Sequence, residues 1–213
     1  MGRELKTMTA LGAVLLLGLL GGCSTEASDE PDANAKGHAA APAPKAPAAA
    51  PAVERGESVG AKGSPCELPA TFDTAAGWTA EAVTVPGMPA QGPVTLACEI
   101  DAKPAGHIGF LRVWTGGKAD DDPREALEAF TAAEAPSRKD ATFEETEVGP
   151  YDGVEVGYLN TGEMLDAPKK ERALAFATPD GLVVMHLGGA DTEEHEQMLP
   201  AFELTKRSVR TGS

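Results

Sequence analysis

Apolar residues recur along this chain in several rhythms, and each rhythm predicts a different kind of structure. From Cys66 to Arg210 they come in short segments separated by turn-forming residues. Trp78 to Val85, Val94 to Asp101 and His107 to Thr115 read as three strands, punctuated by Pro86-Gly87-Met88-Pro89 and Lys103-Pro104-Ala105-Gly106. At Pro123 the spacing turns helical. Ala126, Leu127, Phe130 and Ala133 recur at i, i+1, i+4 and i+7, which predicts a helix from Pro123 to about Ala135. Asp122 is placed to cap it, Pro123 suits the first helical position, and Glu125 sits where a capping box needs an acid.

Period-two patterns then resume. Ala141 to Val148, Val154 to Asn160, Arg172 to Thr178 and Leu182 to Leu187 read as four strands, the last two joined by a turn at Pro179-Asp180-Gly181. Leu182-Val183-Val184-Met185-His186-Leu187 is apolar on both alternations apart from His186, so this strand is expected in the middle of a sheet with both faces covered. A closing helix is predicted from Thr192 to about Val209. Asp191 would cap it, Glu194 takes the capping-box position, Pro200 is expected to kink it, and Met198, Leu199, Phe202 and Val209 form its packing stripe. The order implies an α+β fold: an antiparallel sheet of about six to seven strands packed with two helices, either one on each face or both on one.

The chain ahead of Cys66 has other rhythms. Ala10 to Leu20 is almost continuously apolar, follows Arg3 and Lys6, and ends in Leu20-Gly21-Gly22-Cys23. It is too short to span roughly 30 Å of hydrocarbon as a helix. The pattern resembles a bacterial lipobox, in which a signal peptide is cut before a cysteine that is lipidated. The resemblance implies a diacylglyceryl group on Cys23, anchoring the protein at the extracytoplasmic face of a cell membrane; a plain secretory signal is the alternative. Ala39-Ala40-Ala41-Pro42-Ala43-Pro44-Lys45-Ala46-Pro47 then repeats Ala and Pro with no bulky residue, a composition that favours extended chain and cannot bury enough surface to order itself. The expected organisation is therefore a signal peptide over 1–22, a lipidated Cys23 and disordered tether over 23–65, and one domain over 66–213.

Gly56-Glu57-Ser58-Val59-Gly60 falls in that tether and matches the G-x-S-x-G elbow of serine hydrolases letter for letter. The elbow works only between a buried strand and a helix, and neither is expected here. The segment is read as flexible linker.

Gly77-Trp78 at the head of the first strand, and Leu182 to Leu187 followed by a capped helix ending Ser208-Val209, resemble the PsbP-like fold, in particular the LpqN-type lipoproteins of actinobacteria. The resemblance covers most of Cys66 to Arg210. It implies a binding or accessory module and carries over no catalytic motif.

Side-chain chemistry narrows the picture only a little. With Cys23 taken by lipid, Cys66 and Cys98 remain as an even pair in an exported domain, where a disulfide is expected; a free-thiol or metal-ligand role is the competing reading. His186, His195 and Glu194 could approach a metal, yet a histidine inside an apolar run is more simply a hydrogen-bonded core residue, and no metal or cofactor is expected. Asp120-Asp121-Asp122 with Glu125 lacks the spacing of a calcium loop and is explained by helix capping. Trp78, Trp114 and Tyr158 are the candidate lining of a ligand pocket between sheet and helix, with core packing as their other role.

The 213-residue chain carries 18 basic and 33 acidic residues, a net charge of −15. From Cys66 onward there are 12 basic and 26 acidic residues, so −14 sits on the domain. This argues against nucleic-acid binding, which needs a positive footprint, and favours a cationic or protein partner in the envelope. The functional expectation is a non-enzymatic binding or accessory module. The alternative is an envelope hydrolase or metal-dependent enzyme using His186, His195 and nearby acids.

Overall fold

The computed structural model describes residues 53–212; Cys23, expected to carry the lipid, lies outside the described residues. The strands are β1 (Arg55–Val59), β2 (Ala70–Ala75), β3 (Thr79–Ala82), β4 (Val94–Asp101), β5 (Gly109–Gly116), β6 (Lys139–Val148), β7 (Tyr151–Asn160), β8 (Lys169–Thr178), β9 (Gly181–Gly189) and β10 (Arg210–Thr211). Helix α1 spans Pro123–Glu134 and α2 spans Thr192–Ser208. Seven strands form an antiparallel sheet in the order β3-β4-β5-β9-β8-β7-β6, and β1, β2 and β10 form a small second sheet. Among the described residues no helix is long and apolar enough to cross a membrane.

Strand β9 is the central strand, as its double alternation requires. Leu182 and Val184 pack with Leu127 and Phe130 of α1, while Val183, Met185 and Leu187 pack with Met198 and Phe202 of α2. One helix therefore covers each face, which resolves the alternative left open by the sequence. Each large side chain fully buried in these two layers contributes about 1.5–3 kcal/mol.

Both helices begin where capping predicts, but neither cap is reciprocal. The Asp122 carboxylate accepts from the Arg124 and Glu125 N–H groups at 2.7 and 3.2 Å. Asp191 accepts from the Glu194 N–H at 2.9 Å. Glu194 does not reach back; its carboxylate accepts from the Ile108 N–H at 3.2 Å and lies 3.4 Å from His107 Nδ1. A tertiary contact has taken the side chain that a capping box would use. Pro200 lies inside α2 without ending it.

The tether boundary needs correction. Residues 55–59, assigned above to a structureless segment, form β1, which pairs with β2 through Ser58 opposite Asp73 and Val59 opposite Phe72. The glycines there answer a close approach rather than a need for flexibility: a Cβ on Gly60, at φ 105°, would lie 2.1 Å from the Ala70 carbonyl oxygen. Strand β2 was missed as well, although all six of its residues are buried.

Asp73 shows how so polar a strand is tolerated. Its carboxylate lies 2.8 Å from Arg210 and 2.8 Å from Arg55, its N–H donates to Ser208 Oγ at 2.9 Å, and its carbonyl accepts from Thr205 Oγ1 at 3.2 Å. The Arg210 hydrogen bond holds the carboxyl below the usual carboxylate range. Arg210→Ala is expected to cost about 1–2 kcal/mol, a figure held down because Arg210 is half-exposed and Arg55 remains as a second cation. Urea denaturation checks this, and an unchanged midpoint would contradict it.

Candidate functional site

The chemistry-bearing side chains collect at one end of the sheet, on β7, β8 and β9, and the pleat divides them between the two faces. On the α1 face, register places Tyr158 opposite Glu171, and Ala173 opposite His186. The Tyr158 hydroxyl donates to Glu171 Oε2 at 2.9 Å. His186 Nε2 lies 3.2 Å from the same hydroxyl oxygen and 3.3 Å from Glu171 Oε2. With the phenol proton committed to the carboxylate, Nε2 must be the protonated nitrogen that donates, an assignment made from the network. Asn160 donates to Oε2 at 3.3 Å; Lys169 pairs with Oε1 at 3.1 Å and donates to the Gly189 carbonyl at 2.8 Å.

Tyr158, Glu171 and His186 are all buried. Burial by itself would raise the Glu171 carboxyl, but hydrogen bonds and charges from His186 and Lys169 outweigh it and hold the group down at about 2. Burial, helped by the neighbouring carboxylate, pushes the Tyr158 phenol up. Phe130 of α1 closes over His186 with ring centroids 5.7 Å apart. The arrangement is a polar core shut away by α1: the phenol, the carboxylate and His186 Nε2 are spent on one another, while His186 Nδ1 has no hydrogen-bond partner and lies 3.9 Å from Glu134.

The α2 face of the same strands is open. Gly157 pairs in register with Arg172, whose guanidinium lies 3.0 Å from Glu155 and 3.9 Å from Glu203 of α2. No atom lies within 4 Å of where a Cβ on Gly157 would stand. A groove of about 390 Å³ runs over this bare floor, between Leu159, Lys170 and Arg172 on the sheet and His195, Glu196 and Leu199 on α2. Asp140, at φ 54°, stands at its mouth beside a bulge in β6.

His195 is 2% exposed, and its Nδ1 has no hydrogen-bond partner. Burial, reinforced by the Arg172 charge, lowers its pKa to about 4, so the imidazole is neutral at neutral pH. Lys170 and Glu196 close one wall with a contact of 2.6 Å.

The residues singled out from sequence are not brought together. Trp78 packs in the α2-side core and borders a separate cavity of about 310 Å³ with Met198 and His107. Trp114 and Tyr158 lie in the α1-side core, Trp114 edge-on to Phe130 at 5.4 Å. The three aromatics do not line one pocket: Trp78, just ahead of β3, packs on the α2 side, Trp114 and Tyr158 pack on the α1 side, and of the three Tyr158 alone borders the α2-side groove. His186 and His195 are likewise divided by the sheet. Among the described residues no group of three His, Cys, Asp or Glu side chains is placed to hold a metal.

Ser58 lies within β1, and no helix follows that strand: Gly60 leads into a turn, and the Ser58 hydroxyl accepts from Arg210 at 3.0 Å. Cys66 and Cys98 are joined in a disulfide with their Cα atoms 5.9 Å apart. Sequence reading missed Glu171 because Lys169-Lys170-Glu171-Arg172 looks like a solvated lead-in to an apolar strand. Carrying the alternation of Ala173 and Ala175 one step back would have placed Glu171 on the buried α1 face.

The sequence matches the model of the family Lipoprotein_23, described as uncharacterised lipoprotein, over residues 35–209. Among solved structures, the fold is similar to cyanobacterial PsbP (CyanoP) from Synechocystis sp. PCC 6803, at 13% identity and a TM-score of 0.48 over 67% of this chain and 86% of that one. It is also similar to LpqN of Mycobacterium tuberculosis, a protein involved in cell envelope biogenesis, at 13% identity and a TM-score of 0.41 over 72% of this chain and 89% of that one. Among curated proteins none matches the sequence.

Proposed function

Since the chain belongs to the uncharacterised lipoprotein family, and such membership implies lipid attachment to a membrane, we propose that Cys23 carries that lipid and that the domain serves as a binding or accessory module on the extracytoplasmic face of the cell envelope. Two acyl chains anchor stably where one does not, at about 0.8 kcal/mol per buried CH₂. The domain's net charge of −14, counted from Cys66 onward, repels anionic headgroups, so attachment falls to the lipid and the acidic surface is left for a cationic or protein partner.

The division of polar side chains by the sheet is the observation that favours binding over catalysis. A hydrolase or metal enzyme built on His186 and His195 needs them to converge with an acid on one reacting atom. Here His186 is locked to Tyr158 and Glu171 beneath α1, while His195 faces a groove beneath α2. That groove falls within the size range of small-ligand sites, roughly 300–1,000 Å³.

Fractionation of the native host tests the anchor. The wild-type protein is expected in the membrane fraction, with a diacylglyceryl mass on the peptide that begins at Cys23. Cys23→Ser is expected in the soluble fraction without that mass; a variant that stays on the membrane would overturn the reading.

A further inference from the structure

The geometry points to the outer edge of β6 as a docking site for an extended, basic segment of a partner protein, which adds one strand to the seven-stranded sheet. The inference deepens the binding-module reading by giving the partner's chemistry, and it rests on that reading.

Register identifies the backbone groups on offer. Gly149, at φ 56°, and Pro150 close the β6–β7 hairpin as a two-residue turn, so Val148 and Tyr151 form its first hydrogen-bonded pair. The pairing then runs without a shift back to Thr142, and bonded and non-bonded pairs alternate along it. Phe143, Glu145 and Glu147 fall on the non-bonded positions, where N–H and C=O groups point away from β7. Among the described residues no strand lies beyond β6, and no hydrogen bond outside the ladder reaches these groups.

Sheet edges are normally kept short, broken by proline or guarded by lysine. The opposite edge obeys this rule, since β3 has four residues. β6 has ten, no proline, and one lysine, Lys139, which lies ahead of the bulge. What it carries instead is negative charge on both faces. Glu145, opposite Val154 of the α1-side core, shares that face with Glu147 and its partner Asp152; Glu144 lies on the other face, opposite Glu155. Glu145 is met by Arg124 at 3.0 Å, and Glu155 by Arg172 and Lys206 at 3.0 and 2.8 Å. Among the described residues Glu144, Glu147 and Asp152 make no ion pair.

Charge selects the occupant. A second copy of the chain would lay Glu144, Glu145 and Glu147 against the same acids, and like charges across a pair repel. A strand carrying Lys or Arg is instead attracted by a domain of net charge −14 and bonded by three outward backbone positions. A pocket of about 210 Å³, lined by Asp122, Arg124, Glu145 and Asp152, opens beside the edge on the α1 face. β7, which forms its far wall, lies two strand spacings, about 10 Å, from a docked strand. A long cationic side chain and the acid that meets it span that distance together.

Fluorescence anisotropy on the full chain in a nonionic detergent tests this, at physiological salt. The probe is a short labelled peptide of alternating lysine and valine. A glutamate–valine peptide and a lysine–valine peptide N-methylated at alternate residues serve as controls; the second keeps the charge and loses the strand's donors. The lysine probe is expected to bind and both controls to bind at least about tenfold more weakly. Amide hydrogen exchange should slow at Phe143, Glu145 and Glu147 when the probe is bound. Glu144→Lys/Glu147→Lys should weaken binding by about tenfold or more, with an unchanged thermal unfolding midpoint. Glu145→Pro removes an outward N–H without taking a bond from the β6–β7 ladder, and should weaken binding likewise. Where that proline lowers the unfolding midpoint, the charge reversal and the exchange pattern decide. No binding of the lysine probe, equal binding of its N-methylated form, binding undiminished in Glu144→Lys/Glu147→Lys, or unchanged exchange at the three amides would each overturn the inference. None of these outcomes touches the lipid-anchored module itself, whose test is fractionation of Cys23→Ser.

Discussion

Acidification is expected to weaken the domain through two groups in succession, first His195 and then Glu171. His195 has its pKa lowered from 6.5 to about 4, by burial first and by the Arg172 charge second, against the opposing pull of Glu171 and Glu196 and with a further lowering from His186. In the unfolded chain it takes up a proton as pH falls through 6.5; in the fold it does so only near 4. Stability is thus independent of this group above 6.5, falls between 6.5 and about 4, and is flat again below. At about 1.4 kcal/mol per unit, the full effect is on the order of 3 kcal/mol. Glu171 has the opposite charge type and the same direction of effect. Its pKa is about 2 in the fold against 4.5 ordinarily, so its contribution is complete above 4.5 and is lost as pH falls towards 2. Denaturant titrations across this range should show a continuous decline. His195→Gln should abolish the upper limb and leave the lower one. A wild-type profile flat between 6.5 and 4 would contradict the environment described for His195.

Breaking the Cys66–Cys98 disulfide is expected to cost ~3–4 kcal/mol on the chain-entropy account. The bond spans 32 residues and joins the loop after β1 to β4, and both cysteines are buried in the α2-side core. It is the covalent tie between the small sheet and the large one, which otherwise meet through the packing around Phe72. Cys66→Ala/Cys98→Ala substitutes both half-cystines without leaving a buried hydroxyl. Its denaturation midpoint should fall by that amount, and reduced wild type should fall with it. Equal midpoints for oxidised and reduced protein would remove the disulfide from the account of stability.

Strands with strong local signals were legible in the sequence. β4 is observed from Val94 to Asp101, as its pattern predicts, and α1 starts at Pro123 behind Asp122. β9 lies in the centre because six consecutive residues suit two buried faces at once. β2 was not legible. Thr71, Asp73 and Thr74 look like surface residues, and the groups that make their burial tolerable stand far along the chain: Arg210 is 137 residues from Asp73, and Ser208 is 135. β1 was hidden for a related reason, since its glycines signal a linker until β2 is known to pass beside them.

The candidate site was illegible in a different way. Period-two reading assigns side chains to faces, but it does not say which face a helix covers or where that helix stops. Trp114 and Tyr158 could be given the same face from sequence, and Trp78 could not be related to either. The groove depends on the absence of a side chain at Gly157 and on His195 entering from the other layer. Neither fact exists before α2 is laid across β7 and β8. His186 was correctly read as a hydrogen-bonded core residue, although its partners Tyr158 and Glu171 had not been connected to it.

The central claim is that this lipoprotein binds a ligand through the α2-side groove. It is tested most directly by isolating wild-type protein and Gly157→Val from the native host under mild crosslinking and comparing the bound material by mass spectrometry. The account predicts a bound species present with wild type and depleted from the folded, membrane-associated variant. Identical material on both proteins, or none on wild type, would contradict it.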